Sequence, residues 1–213
     1  MKVTPPVRLL PVTDILWHSL ELHSPERCTL ADRPGGHVLT GVVVVPINGQ
    51  PADLRYQVAV DPRWRTRNVE IVVTDDGGER RIAMSTDAAG HWLVNGQAAT
   101  GLNGCTDVDL GWTPATNTLP MRRLNLQVGE TASITAAWVR FPELVIEPSV
   151  QTYDRLDEWR WRYSSGAFAA DLKVDPECLV LRYGAKLWTA VAHSDPAFRP
   201  QPRPCWAPGS ART

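Results

Sequence analysis

No stretch of this sequence is long and apolar enough to cross a bilayer as a helix. Prolines and Asp14 interrupt the opening "MKVTPPVRLLPVTDILWHSL", so it also lacks an apolar core of signal-peptide length. The expectation is a soluble chain that stays in the cytoplasm. Lysine is nearly missing: only Lys2, Lys173 and Lys186 occur, and the net charge is −1. That balance leaves no electrostatic footprint for nucleic acid or an anionic membrane surface. The four cysteines, Cys28, Cys105, Cys178 and Cys205, are scattered without a C-x-x-C pair and read as free thiols. The five histidines show no metal-ligand spacing; His18 and His23 stand five apart, which suits neither a helix face nor a strand face. G-x-S-x-G, H-E-x-x-H and G-x-x-x-x-G-K-[ST] are all absent, and so is a dinucleotide fingerprint with its βαβ setting. Nothing here calls for a metal or a cofactor.

What is present is β-periodicity. Across 213 residues, 43% are hydrophobic and 21% charged, enough to build a substantial core. "LRYQVAV" sets Leu54, Tyr56, Val58 and Val60 on one face, with Arg55 and Gln57 opposite. "RNVEIVV" follows the break at "DPRW". Asp75-Asp76-Gly77-Gly78 predicts a hairpin turn, and Asn95-Gly96 a tight type I′ turn after "HWLV". "RRLNLQV" and "TASITAAWVRF" read as a further hairpin. "EWRWRYSSGAFAADLKVD" alternates Trp159, Trp161 and Tyr163 against Arg160 and Arg162, and "CLVLRYGAKLWTAV" supplies one or two strands more. Helical candidates are confined to short turns near Pro5–Leu20 and Val150–Asp157.

The fold class predicted is all-β: about a dozen strands in a large antiparallel sheet that must curl, close or split. Residues 1–193 read as a single domain and 194–213 as a proline-rich tail, extended or disordered. Two segments, "GVVVVPI" and "SITAAWV", are apolar or small on both faces. That pattern suits a sheet rolled over itself, a strand lining an apolar cavity, or the middle of a sandwich.

Chemistry concentrates in "CTDVDLGWTPATNTLPMRRL". Asp107 and Asp109, two apart on a strand, project from one face and make a candidate acid/base pair. The plainer alternative pairs one with Arg122 or Arg123 and uses the other to cap the turn before Trp112. "WTPATNTLP" has a composition suited to satisfying its own backbone, yet Asn117 is equally fitted to sugar hydroxyls. Nine tryptophans offer stacking faces for sugars and are also good core fillers. Trp64 stands out because Arg63, Arg65 and Arg67 flank it, a possible cation–π or anion-binding rim.

The run "CTDVDLGWTPATNTLPMRRLNL", with "LRYQVAVDPRWRTRNVEI" upstream and "AAWVRFPELVIEPSVQTYDRL" downstream, resembles the bacterial putative glycolipid-binding proteins, first described as a domain of unknown function. "FAADLKVDPECLVLRYGAKLW" fits the end of the pattern, so the resemblance runs roughly from Leu16 to Trp188. Its motifs stand at Trp64–Arg67, Cys105–Asp109, Asn117–Arg123 and Gln151–Tyr153. The resemblance implies a single domain, its antiparallel sheet wound into a spiral β-roll similar to the unclosed barrels of bacterial lipoprotein and lipid carriers. It implies a concave apolar surface for an acyl chain and gives no catalytic residue to carry over. Within the motifs, Trp64, Arg67, Asp109, Asn117, Arg122, Arg123 and Tyr153 are the positions best placed for ligand binding. The leading expectation is a non-catalytic binder of a glycolipid or other amphiphile. A hydrolase of a lipid or sugar ester using Asp107 and Asp109, and an interaction module with no small ligand, are the alternatives.

Overall fold

A computed structural model describes residues 12–195 and 197–199. Among the described residues there are fifteen strands, one short helix and two 3-10 turns. The first eight strands are β1 (Val12–Ser19), β2 (Pro25–Arg33), β3 (Gly36–Ile47), β4 (Gln50–Val60), β5 (Thr66–Asp75), β6 (Gly78–Thr86), β7 (Trp92–Val94) and β8 (Gln97–Ala98). After a 3-10 turn come β9 (Asp107–Leu110), a second 3-10 turn and α1 (Thr118–Leu124). The remainder is β10 (Thr131–Val139), β11 (Ile146–Arg155), β12 (Arg160–Ser165), β13 (Phe168–Val174), β14 (Val180–Tyr183) and β15 (Trp188–His193). All fifteen strands belong to one open sheet in the order β8-β7-β6-β5-β4-β3-β2-β1-β15-β14-β13-β12-β11-β10-β9. Every pairing is antiparallel except β9 with β10.

The expected hairpins form where turn chemistry demands them. Asp75 pairs with Gly78 across β5 and β6. Asn95 and Gly96, both at positive φ (50° and 78°), join β7 to β8 as a type I′ turn requires. So large a sheet cannot stay flat, and its right-handed twist curls it. The curl brings β9 back over β5, where the Val108 N–H donates to Thr66 Oγ1 at 3.2 Å. Inside the curl, Leu39, Val43, Leu54, Val58 and Ile71 of β3–β5 pack in one cluster with Val108, Leu110, Trp112 and Leu119. The inner face expected to receive an acyl chain is therefore covered by the protein's own side chains. A second cluster joins Met121 and Leu126 to Ile134, Tyr153, Trp161 and Leu172. Strand β10 lies between the two: Ala137 and Val139 serve the first, Ile134 and Ala136 the second. From Ile134 onward, "SITAAWV" thus carries buried residues on both faces.

Three local expectations are corrected. "GVVVVPI" is buried on one face only, because Val42 and Val44 of β3 point to solvent while Val43 and Val45 face the core. Of the helical turns expected within Pro5–Leu20 and Val150–Asp157, 12–19 is strand β1 and 150–155 is the end of strand β11; residues 1–11 lie outside the description. In β11 the β-branched Val150 and Thr152 alternate with buried Gln151 and Tyr153, the strand pattern. "RRL" of "RRLNLQV" closes helix α1 instead of opening a strand. The helix tolerates Pro120 in its first turn, where no intrahelical donor is lost, and Asn125 ends it in the left-handed conformation (φ 46°). Among the described residues no helix is long and apolar enough to cross a membrane. Of the proline-rich tail, Ser194, Asp195 and Ala197–Arg199 are described. Ser194 exchanges hydrogen bonds with Asp14, and Phe198 packs by His193.

Candidate functional site

The parallel pairing of β9 with β10, followed by the 3-10 turn and α1, folds the aspartate, asparagine and arginine motifs onto one another. Asp107 Oδ1 accepts from Arg123 Nε at 3.1 Å, and its Oδ2 accepts from Arg123 Nη2 and Thr106 Oγ1. Its side chain is 1% exposed, so this forked pair consumes the carboxylate. Asp109, half-buried, turns elsewhere. It accepts from Gln151 Nε2 at 2.6 Å and from Thr116 Oγ1 at 3.3 Å. One step further, Tyr153 Oη donates to Asn117 Oδ1 at 3.1 Å, and Asn117 Nδ2 donates to the Pro114 carbonyl at 3.3 Å. The Cys-x-Asp-x-Asp, Asn-Thr-Leu-Pro and Gln-x-Tyr motifs thereby make a single polar network.

That network floors a cleft of about 300 Å³ lined by Asp109, Thr113, Asn117, Ser149 and Ser165. Its walls are aromatic: Trp138, Tyr163, Phe168, Tyr183 and Trp188. Burial raises the Asp109 carboxyl to about 6, against the opposing hydrogen bonds from Gln151 and Thr116. Tyr163, buried, and Tyr183, partly buried, have their hydroxyls pushed up by desolvation and remain neutral donors. Below the cleft, Thr113 Oγ1 donates to Glu26 Oε1 at 2.6 Å, and Tyr56 Oη donates to the same oxygen. Tyr56 reaches this point because Gly41 has no Cβ; one there would overlap the ring. Burial pushes Glu26 up to about 8. Sequence reasoning passed over Glu26, although strand parity sets it on the same face as Cys28 and Leu30 of β2.

A second cleft, of about 450 Å³, gathers Trp64, Arg122, Arg155, Trp159, Trp161 and Cys178. His37 stacks on Trp64 at 4.1 Å between centroids, and the Arg122 guanidinium lies 4.7 Å from the ring centre. Of the flanking arginines expected to rim Trp64, none lies over its ring among the described residues; that place is taken by Arg122. Trp64 sits at a left-handed φ of 63°, and the Arg63 and Arg65 N–H groups close that turn on Asp61 Oδ1. Arg67 is committed to Asp61 Oδ2 at 2.7 Å and the Asp87 carbonyl at 2.9 Å. Of the seven candidate residues, then, Asp109, Asn117 and Tyr153 are brought together, Trp64 and Arg122 form a second group, and Arg67 and Arg123 hold local structure.

The sequence profile of the family described as putative glycolipid-binding matches residues 14–189. The chain belongs to that family. A crystal structure of a DUF1089 family protein from Pseudomonas aeruginosa has a TM-score of 0.70 at 29% identity, over 87% of this chain and 97% of that one. A β-barrel-like protein of domain of unknown function DUF1849 from Brucella abortus has a TM-score of 0.46 at 12% identity, over 88% of this chain and 98% of that one. No curated protein matches the chain. In this member of the putative glycolipid-binding family, the residues lining the 300 Å³ cleft all fall inside the matched segment.

Proposed function

We propose that the protein binds the polar head of a glycolipid or similar amphiphile in the Asp109–Asn117 cleft and performs no chemistry on it. The observation that carries this reading is the convergence of three sequence motifs on one polar floor between aromatic walls. Carboxylate and amide groups match sugar hydroxyls, and indole and phenyl faces match the apolar faces of a pyranose. The alkyl part leaves the cleft over exposed Phe168, with Val150 beside Ser165 also open to solvent. It does not enter the roll, whose inner face is already packed. The two-carboxylate hydrolase loses its support because Asp107 is buried and bound to Arg123. Family membership supports the ligand class.

Native mass spectrometry after incubation with galactosyl diacylglycerol or glucosylceramide tests the reading. One lipid per chain is expected, with retention reduced about 10-fold or more by Asp109→Asn or by Ser165→Trp, which fills the cleft. Thermal unfolding of both variants checks that the fold persists. Failure of the unaltered protein to retain either lipid, or equal retention by the variants, sinks the proposal.

A further inference from the structure

We infer that the second cleft is a binding site for a phosphoryl group carried on an organic body, held between Arg122 and Arg155. Many of the described arginines are spent on carboxylates, as at Asp14, Asp61, Asp75, Asp107, Asp157 and Asp171. These two are not. Among the described residues Arg122 makes no hydrogen bond or ion pair and lies over Trp64. Arg155 lies over Trp161 at 5.5 Å and gives Nη1 to the Leu126 carbonyl at 2.7 Å, while its Nε is buried with no acceptor. Its Nη2 makes no hydrogen bond among the described residues and is the atom left for an oxyanion in the cleft. The two cations share the cleft: Arg122 and Arg155 both line it, each stacked on a tryptophan of its wall.

No acidic group of the cleft makes an ion pair with either arginine among the described residues. Asp175 is occupied by His193 at 3.0 Å and by the N–H groups of Glu177 and Leu179. Glu158 lies at the exposed edge, within ion-pair distance of neither arginine. Arginine forks suit the geometry of a phosphoryl group, and exposed Trp159 offers a stacking face for the body that carries it. The site stands apart from the Asp109 cleft: no residue lines both.

Two probes separate the possible sources of the group: sn-glycerol 3-phosphate for a free metabolite, and phosphatidylcholine vesicles doped with phosphatidylglycerol for a lipid head. Saturable binding of one probe is expected by calorimetry or co-sedimentation, and whichever binds names the source. Arg122→Gln should weaken it about 10-fold or more. Arg80→Gln, which removes a charge paired with Asp75 on a distant hairpin, should not. Arg155→Gln should act in the same direction, but it also releases the Leu126 carbonyl, so the Arg122 variant decides. Indole N–H resonances supply the location. Shifts should concentrate on Trp64, Trp159 and Trp161. Binding of neither probe, equal losses in the Arg80 and Arg122 variants, or shifts confined to Trp138 and Trp188 would each overturn the inference.

Discussion

At Glu26 the chain places a carboxyl group between Trp17 and Val43 of the neighbouring strands, with Tyr56 and Thr113 both donating to one of its oxygens. Burial outweighs those two bonds and lifts the group from 4.5 to about 8. The folded state therefore keeps a proton that the unfolded chain gives up over that interval. Stability from this group is intact below the ordinary carboxylate value and declines as pH rises toward 8. A shift of this size corresponds to a loss of about 3–5 kcal/mol across the window. Asp109, lifted from 3.8 to about 6, adds a smaller decline of the same sign at lower pH. Urea unfolding on either side of the Glu26 window should show the fall in the native sequence and a flatter profile in Glu26→Gln. A profile as steep in the variant would mean that Glu26 is ionised in the fold.

At the scale of elements, β9 and α1 are joined by the Asp107–Arg123 pair. Arg123→Met leaves a carboxylate stranded in the core and should cost about 3–5 kcal/mol, whereas Asp107→Asn with Arg123→Met should recover much of the loss. Chemical denaturation of the single and double variants checks this, and equal losses in both would show that the pair does not couple the elements. This pair was partly legible in the sequence, since strand parity and nearby arginines already offered it. So were the hairpins at Asp75–Gly78 and Asn95-Gly96, because turn residues act locally. Helix α1 was not: seven residues containing Pro120 carry no helical period, and burial of Leu119 and Met121 in two different cores holds it. Asp109–Gln151 and Asn117–Tyr153 were equally hidden as pairs. They join positions 42 and 36 residues apart, and the alignment exists only once β10 and β11 have paired. For β3, hydrophobicity alone misled, since a valine on the outer face reads the same as one in the core.

For the whole molecule, the segment from β9 to α1 contributes to both apolar clusters, which ties their stabilities together. We expect one cooperative transition, with far-UV circular dichroism and the indole resonances of Trp17, Trp92 and Trp161 melting at one midpoint. Separate midpoints for Trp161 and for Trp17 would divide the chain into two folding units. The pairing of β1 with β15 has a consequence of its own. Followed from strand to strand, the sheet runs through the sequence as though the chain were a ring: each strand lies beside its predecessor, and the last lies beside the first. The one break is between β8 and β9, which are consecutive in the chain yet share no hydrogen bonds. The seam of the sheet is crossed by covalent backbone, and the covalent gap is closed by hydrogen bonds. A circularly permuted chain, opened between Ala99 and Thr106 and joined from His193 to Val12, would keep every strand pairing and visit the strands in strict spatial order from one edge to the other.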